Sequence, residues 1–381
     1  MAHLRSKLLT LVPALTAIAL AGLAAPARAQ SLDSAIVSAS SLSATQKDTL
    51  TAFVKEHMPG LASGEADRVK KARNALTQPL LENAVTVGFR STLSELLVAE
   101  KLDALCKDKT ELVAINALRL AGELTTPEAR AMLLDGMADK RAAVRYASVF
   151  AAIRTFEQAA PASRFPAMNA DGMTPLIEAL SKAMTSEKEA NIADAAARAL
   201  LAASKIEKAK YESIRPAALQ ALTAGLTSKL KAASKDDRLI IETAQRAAAS
   251  LRDDLSARGA QMPEDQRKLA VGLAGDMLAC ISRLVQSGGM PQLAREESKA
   301  EADAKKESRK LYSNAVTTAE NIVLFALRAS GQPTGTSTLG RSFEEASKDG
   351  DARFVVQFGD LASSTLAKPP FAFEPDRFKT K

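Results

Sequence analysis

Apolar residues recur along this chain every three to four positions from about Thr45 to about Leu366, the period of one helix face. No stretch alternates apolar and polar residues between turn signals, so the pattern predicts helices and no sheet. Breaks are expected at Met58-Pro59-Gly60, Thr125-Thr126-Pro127, Pro161 to Gly172, Ser287 to Pro291 and Gly331 to Gly335. Thr126 before Pro127 and Thr174 before Pro175 each read as a capping hydroxyl followed by proline at the first helical position, where the missing N–H costs nothing. Beyond Arg258 the helices lengthen, with one over Glu264 to Gln286 and one or two more over Pro291 to Ser330.

The pattern also repeats at a larger scale. Shifting Arg141 to Ala151 by 48 and then by 49 residues carries Val144 onto Ile192 and Ile241, Ala147 onto Ala195 and Ala244, and Ala151 onto Ala199 and Ala248. Asp139 falls on Glu187 and Asp236, an acid before the helix each time, suited to the positive end of its dipole. The preceding helix repeats an i,i+4 pair: Leu133/Met137, Leu180/Met184 and Leu226/Leu230. A shift of 30 the other way places Ala117 and Ala121 in the same roles. One β-branched and two small residues on a face let a neighbouring helix approach closely, and the Leu/Met pair of the partner helix fills the space. A single such hairpin cannot bury its apolar face, so hairpins must stack.

The run Leu133-Leu134-x4-Asp139-x4-Val144-Arg145-x-Ala147-x3-Ala151 resembles the HEAT repeat. The resemblance is good over residues 126–157 and fair over 91–123 and 172–254; the spacing is irregular, and Arg145 is replaced by Ala193 and Glu242. It implies an all-α fold, an irregular α-solenoid of stacked antiparallel hairpins over residues 45–258, continued by longer helices over 259–366. It also implies a scaffold for protein–protein interaction.

The flanks differ in character. Residues 1–29 read as a secretory signal peptide: Arg5 and Lys7, then apolar Leu8 to Ala25, then Ala27-Arg28-Ala29 ahead of Gln30. Export to the periplasm or the exterior is therefore expected, with no stable membrane insertion after cleavage. Residues 30–44, rich in Ser, are expected to form a loose leader. Residues 367–381 are expected to form an extended tail, its prolines forbidding a continuous helix. It holds Phe371, Phe373, Arg377 and Phe378, which either dock a protein partner or fold back over the open apolar end of the stack.

Composition narrows the chemistry. Of 381 residues 75 are Ala, the best helix former, and none is Trp. Net charge is +7, and the three basic residues of the leader take it to +4 when removed, too mild to call for nucleic acid. The two His are His3 and His57, and the two Cys are Cys106 and Cys280, so zinc, Cys/His and Ser/His chemistry lack parts. His57 is expected to play a cap-like role at the end of the first helix, and the cysteines to be buried free thiols. Asn169, Asp171, Gly172 and Glu178 match four positions of a calcium loop, but Ala167 stands where an acid is needed, so the segment is expected to be a turn leading to Thr174. No phosphate, dinucleotide, metalloprotease or nucleophile-elbow motif occurs. The expectation is an exported non-catalytic scaffold with a protein partner, no cofactor, no metal and no catalytic residue. Two alternatives stay open: a hydrolase or lyase with a carboxylate pair in a helical groove, and a protein binding the cell-envelope surface.

Overall fold

A computed structural model describes residues 32–161, 164–288, 299–336, 338–345 and 348–379. The expected signal peptide lies outside the described residues. The chain is 76% helical, and there is no strand among the described residues. Leu32 to Lys381 form one compact unit.

The repeated residues build the centre. Helices α6 (Glu111–Leu124), α8 (Ala142–Ala159), α10 (Ala190–Ala203) and α12 (Arg238–Arg258) pack side by side in one row. Helices α7 (Pro127–Met137), α9 (Ala170–Ser186), α11 (Ile214–Ala232) and α13 (Glu264–Gln286) form a second row against it. The row of α6 to α12 ends in the long α14 (Lys299–Ala329), which packs on both α12 and α13. This is an all-α, solenoid-like stack.

All but one of the repeated apolar positions are buried, Met137 being half-buried. Val144, Ile192 and Ile241 are buried, as are Ala147, Ala195 and Ala244, and Ala151, Ala199 and Ala248. Leu133, Leu180, Met184, Leu226 and Leu230 of the second row are buried against them. The small residues set the spacing. A Cβ on Gly122 of α6 would lie 2.6 Å from the Ala151 carbonyl oxygen of α8, so the two helices touch backbone to backbone there. At such contacts interaxial distance falls toward the low end of the usual range, about 8 Å.

Local signals set most boundaries. Thr126 caps α7 by accepting a hydrogen bond from the Ala129 N–H, and Pro127 opens the helix as expected. At the other end of that turn Thr125 adopts a left-handed conformation (φ 57°) that stops α6. The carbonyl left free at Glu123 accepts from buried Arg90 of α4 (Val87–Ala99) at 2.6 Å. Burial pulls the Arg90 guanidinium down to about 10.

Four expectations are corrected. Residues 34–37 form a short helix, α1 (Ser34–Val37), capped by Asp33 and burying Ile36 and Val37. Thr86 then ties the following segment down through the Ala39 carbonyl at 2.5 Å, so the Ser-rich stretch is docked rather than loose. Met58-Pro59-Gly60 does not break α2 (Ala44–Leu61); Pro59 lies in its last turn, where the one N–H it lacks is among the last the helix would use. Asn169, not Thr174, caps α9, accepting from the Gly172 N–H at 2.9 Å, and Thr174 and Pro175 lie inside the helix. The tail, finally, is not extended: it turns twice and packs onto α13.

Of the acids before the repeated helices, Glu187 accepts from the N–H groups of Lys188 and Glu189 at the start of α10. It also binds Arg145 of α8 at 2.8 Å, so it joins two layers as well as facing a helix end. Asp139 instead chelates Arg141, and in the third copy Asp237, not Asp236, accepts from the Ser234 N–H.

Candidate interaction site

The tail residues come together, but against their own chain. Phe371, Phe373 and Phe378 are buried, Phe378 to 4% exposure. Phe373 meets Phe378 edge to face, with centroids 5.4 Å apart, and Arg377 lies over the Phe373 ring at 4.7 Å. Helix α13 supplies the seat. A Cβ on Gly275 would stand 2.5 Å from the Phe378 ring, and one on Gly272 2.8 Å from the Arg377 guanidinium. Between them Asp276 accepts from Arg377 at 2.8 Å and from the Thr227 hydroxyl of α11 at 2.5 Å. Asp276 is otherwise fully enclosed, so Arg377 neutralises a charge that burial alone would penalise heavily. The tail therefore covers part of α13, and its aromatic rings are committed there.

An open apolar surface lies elsewhere. Among the described residues two aromatic rings stand more than a third exposed: Tyr146 at 38% and Phe165 at 48%. Lys208 and Lys210 each lie over the Phe165 ring at 5.2 Å. Tyr146 has no such cover. It stacks on Phe150 one turn later in α8, with centroids 6.2 Å apart, along a groove of about 710 Å³. The floor is built from Ala143 and Ala147 of α8, with Ile115 of α6 and Ile192 of α10 on either side. The alanines that let α8 pack closely also keep this floor low. Arg119 of α6 stands on one wall, Glu189 and Asn191 on the other.

The same row of helices carries a ladder of paired charges. Glu123 of α6 accepts from Arg154 of α8 at 2.7 Å and from Gln158 at 2.8 Å. Asp194 of α10 accepts from Arg246 of α12 at 2.8 Å, from Arg198 at 2.6 Å and from the Thr243 hydroxyl at 2.6 Å. Burial pushes the Asp194 carboxyl up, but these three donors outweigh it and hold it below the usual range. Each buried acid is thus tied to a guanidinium from the next layer, which fixes the layers' register. Among the described residues no group of three or more His, Cys, Asp or Glu is placed to hold a metal ion.

Cys106 and Cys280 are free and buried, as expected. Burial pushes the Cys106 thiol up to about 12 and the Cys280 thiol up to about 11, far from the thiolate a nucleophile needs. His57 lies in the last turn but one of α2, its ring edge-on to Phe53 at 4.7 Å, in a packing role.

The sequence offers the aromatic tail either as a docking segment or as a cover for the stack, and it does not point to the groove. The available signal was Tyr146 and Phe150 at i,i+4 on a repeat helix whose inward face was already assigned to Val144, Ala147 and Ala151. Of these two rings the structure exposes Tyr146 and leaves Phe150 half-buried against the core.

No protein-family model matches the chain, and no curated protein matches its sequence. Among solved structures, the crystal structure of one engineered protein is 16% identical, with a TM-score of 0.38, covering 71% of this chain and 97% of that one. A second engineered protein is 15% identical, with a TM-score of 0.32, covering 85% of this chain and 87% of that one.

Proposed function

We propose that this chain is an exported, non-catalytic scaffold of HEAT-like helical hairpins that binds a protein partner in the groove over α6, α8 and α10. The observation carrying this reading is exposed Tyr146, stacked on half-buried Phe150 over a floor of alanines. Large exposed rings beside a hollow are the usual anchors of a protein interface, because they bury much area at little conformational cost. The stack around them is stiffened by the inter-layer ion pairs, so the surface meets a partner already formed. The leader of residues 1–29 supports export, and cleavage there leaves a chain beginning at Gln30. The repeat register supports the HEAT-like hairpin: the large and small positions of three copies are all buried at the layer contacts.

A photo-cross-linking amino acid at Ala143, inside the groove, tests the interface in cells that make the protein, with Glu178 on the exposed side of α9 as control. A defined protein adduct from position 143 and none from position 178 is the expected result. Equal adducts from both positions, or none from 143, would remove the groove from consideration. Mass spectrometry of the same material reports whether the chain starts at Gln30.

A further inference from the structure

One wall of the groove carries a guanidinium, Arg119, of a kind that the rest of the row does not leave unmatched. Arg154, Arg246 and Arg145 each meet a carboxylate in a neighbouring layer. Arg73 of α3 (Ala66–Thr77) and Arg119 of α6 do not: neither stands in an ion pair among the described residues. Arg73 spends its donors on neutral amide oxygens, Asn116 at 2.7 Å and Asn74 at 2.7 Å. Asn116 precedes Arg119 by three residues on α6, which puts the two guanidiniums on the same side of that helix. Burial lowers the Arg73 pKa, and the charge of Arg119 lowers it further, which marks the two as electrostatic neighbours. Arg119 lines the apolar hollow, and Arg73 on neighbouring α3 adds a second like charge beside it, a repulsion that a bound anion would remove. Glu189 on the opposite wall gives the groove a sign at each side.

We propose that the occupant of this groove is a protein segment that lays an apolar side chain on Tyr146 and Phe150 and brings an Asp or Glu carboxylate to Arg73 and Arg119. Guanidinium groups match carboxylate geometry with paired N–H donors, so this contact fixes the direction of the segment as well as adding affinity. The proposal rests on the groove being the binding surface, and its test separates the two.

Random peptides displayed on phage are selected on the full chain, and the best binders are synthesised with a fluorophore and titrated by anisotropy. The expected peptides pair an aromatic or aliphatic residue with a nearby Asp or Glu. Tyr146→Ala and Arg119→Glu each weaken them about tenfold, the scale of one charge-assisted pair, and a Lys in place of the peptide acid restores binding to Arg119→Glu. Binders lost on Tyr146→Ala but indifferent to Arg119→Glu, and to Asn or Gln in place of their acid, would overturn the carboxylate contact and leave the groove standing. Binders indifferent to Tyr146→Ala, or no binders at all, would overturn both. Circular dichroism melts of each variant confirm folding, and Arg119→Gln serves as the gentler substitution.

Discussion

Two regions of this molecule gather aromatic side chains beside small residues, and they end in opposite states. Under the tail, Gly272 and Gly275 leave α13 without side chains where Phe378 and Arg377 lie down, and the chain fills its own hollow. Over α8, Ala143 and Ala147 leave a similar lowering, yet Tyr146 and Phe150 stand at its edge and no described residue covers them as the tail covers α13. Small residues on a helix make room; they do not say who occupies it. The occupant is decided by whether a segment with matching shape and charge lies within reach. The tail has one, because Arg377 answers Asp276. The groove has Arg119 on its wall and Arg73 of α3 beside it, and neither meets a carboxylate among the described residues.

The largest expected effect tests the filled region. Phe378→Ala should lower unfolding free energy by about 3–5 kcal/mol in a denaturant titration, since a buried ring leaves a cavity against Gly275. A cost near zero would mean the tail is an ornament rather than a part of the core. Next, Ala195→Leu probes the layer beneath the groove, where the side chain is buried against neighbouring helices. Overpacking there should cost about 1–3 kcal/mol, and an unchanged melting temperature would break the repeat alignment.

A smaller effect concerns Asp139, which sits where the chain enters α8, the helix bearing Tyr146. The Arg141 guanidinium holds its carboxyl at about 2 in the folded chain, against an ordinary 3.8. A depressed carboxylate stabilises the fold above the ordinary value, and that contribution disappears as pH falls from about 4 to about 2. Asp139→Asn should therefore cost about 1 kcal/mol or less at neutral pH, and its melting curve should rejoin that of the unsubstituted chain near pH 2. A gap that persists at pH 2 would assign the effect to something other than the ion pair. The smallest effect belongs to the open region: Tyr146→Ala should move stability by no more than about 0.5 kcal/mol, the sign of a ring that is not holding the fold together. A large loss would make Tyr146 a core residue and close the groove as a site.

Much of the architecture was legible because helical stacks write their packing locally. Val144, Ala147 and Ala151 announce an inward face within two turns, and their echoes at Ile192 and Ile241 give the neighbouring layers. Caps were readable where the signal is short-range, as at Thr126-Pro127. They misled at Thr174-Pro175, because Asn169 five residues earlier offered the same hydrogen bond and the helix began there. Pro59 misled for a related reason: a proline near a helix end removes little that the helix needs. The site was harder. Whether Phe378 is exposed depends on Gly275, a hundred residues away, and no local pattern connects them. The pairing of Arg73 with Arg119 needs α3 to lie against α6, which the sequence does not state.

The two thiols turn the stack into its own stopwatch. Cys106 lies ahead of the row that starts with α6 and Cys280 beyond α12 in α13, both enclosed and both held as the unreactive protonated form. A thiol reagent can reach either one only when the layers around it part. If the molecule opens as a single event, both positions will be modified at one rate; if it peels from one end, one label will run ahead of the other. Peptide mapping of partially labelled protein would read the order directly, without adding a single reporter to the chain.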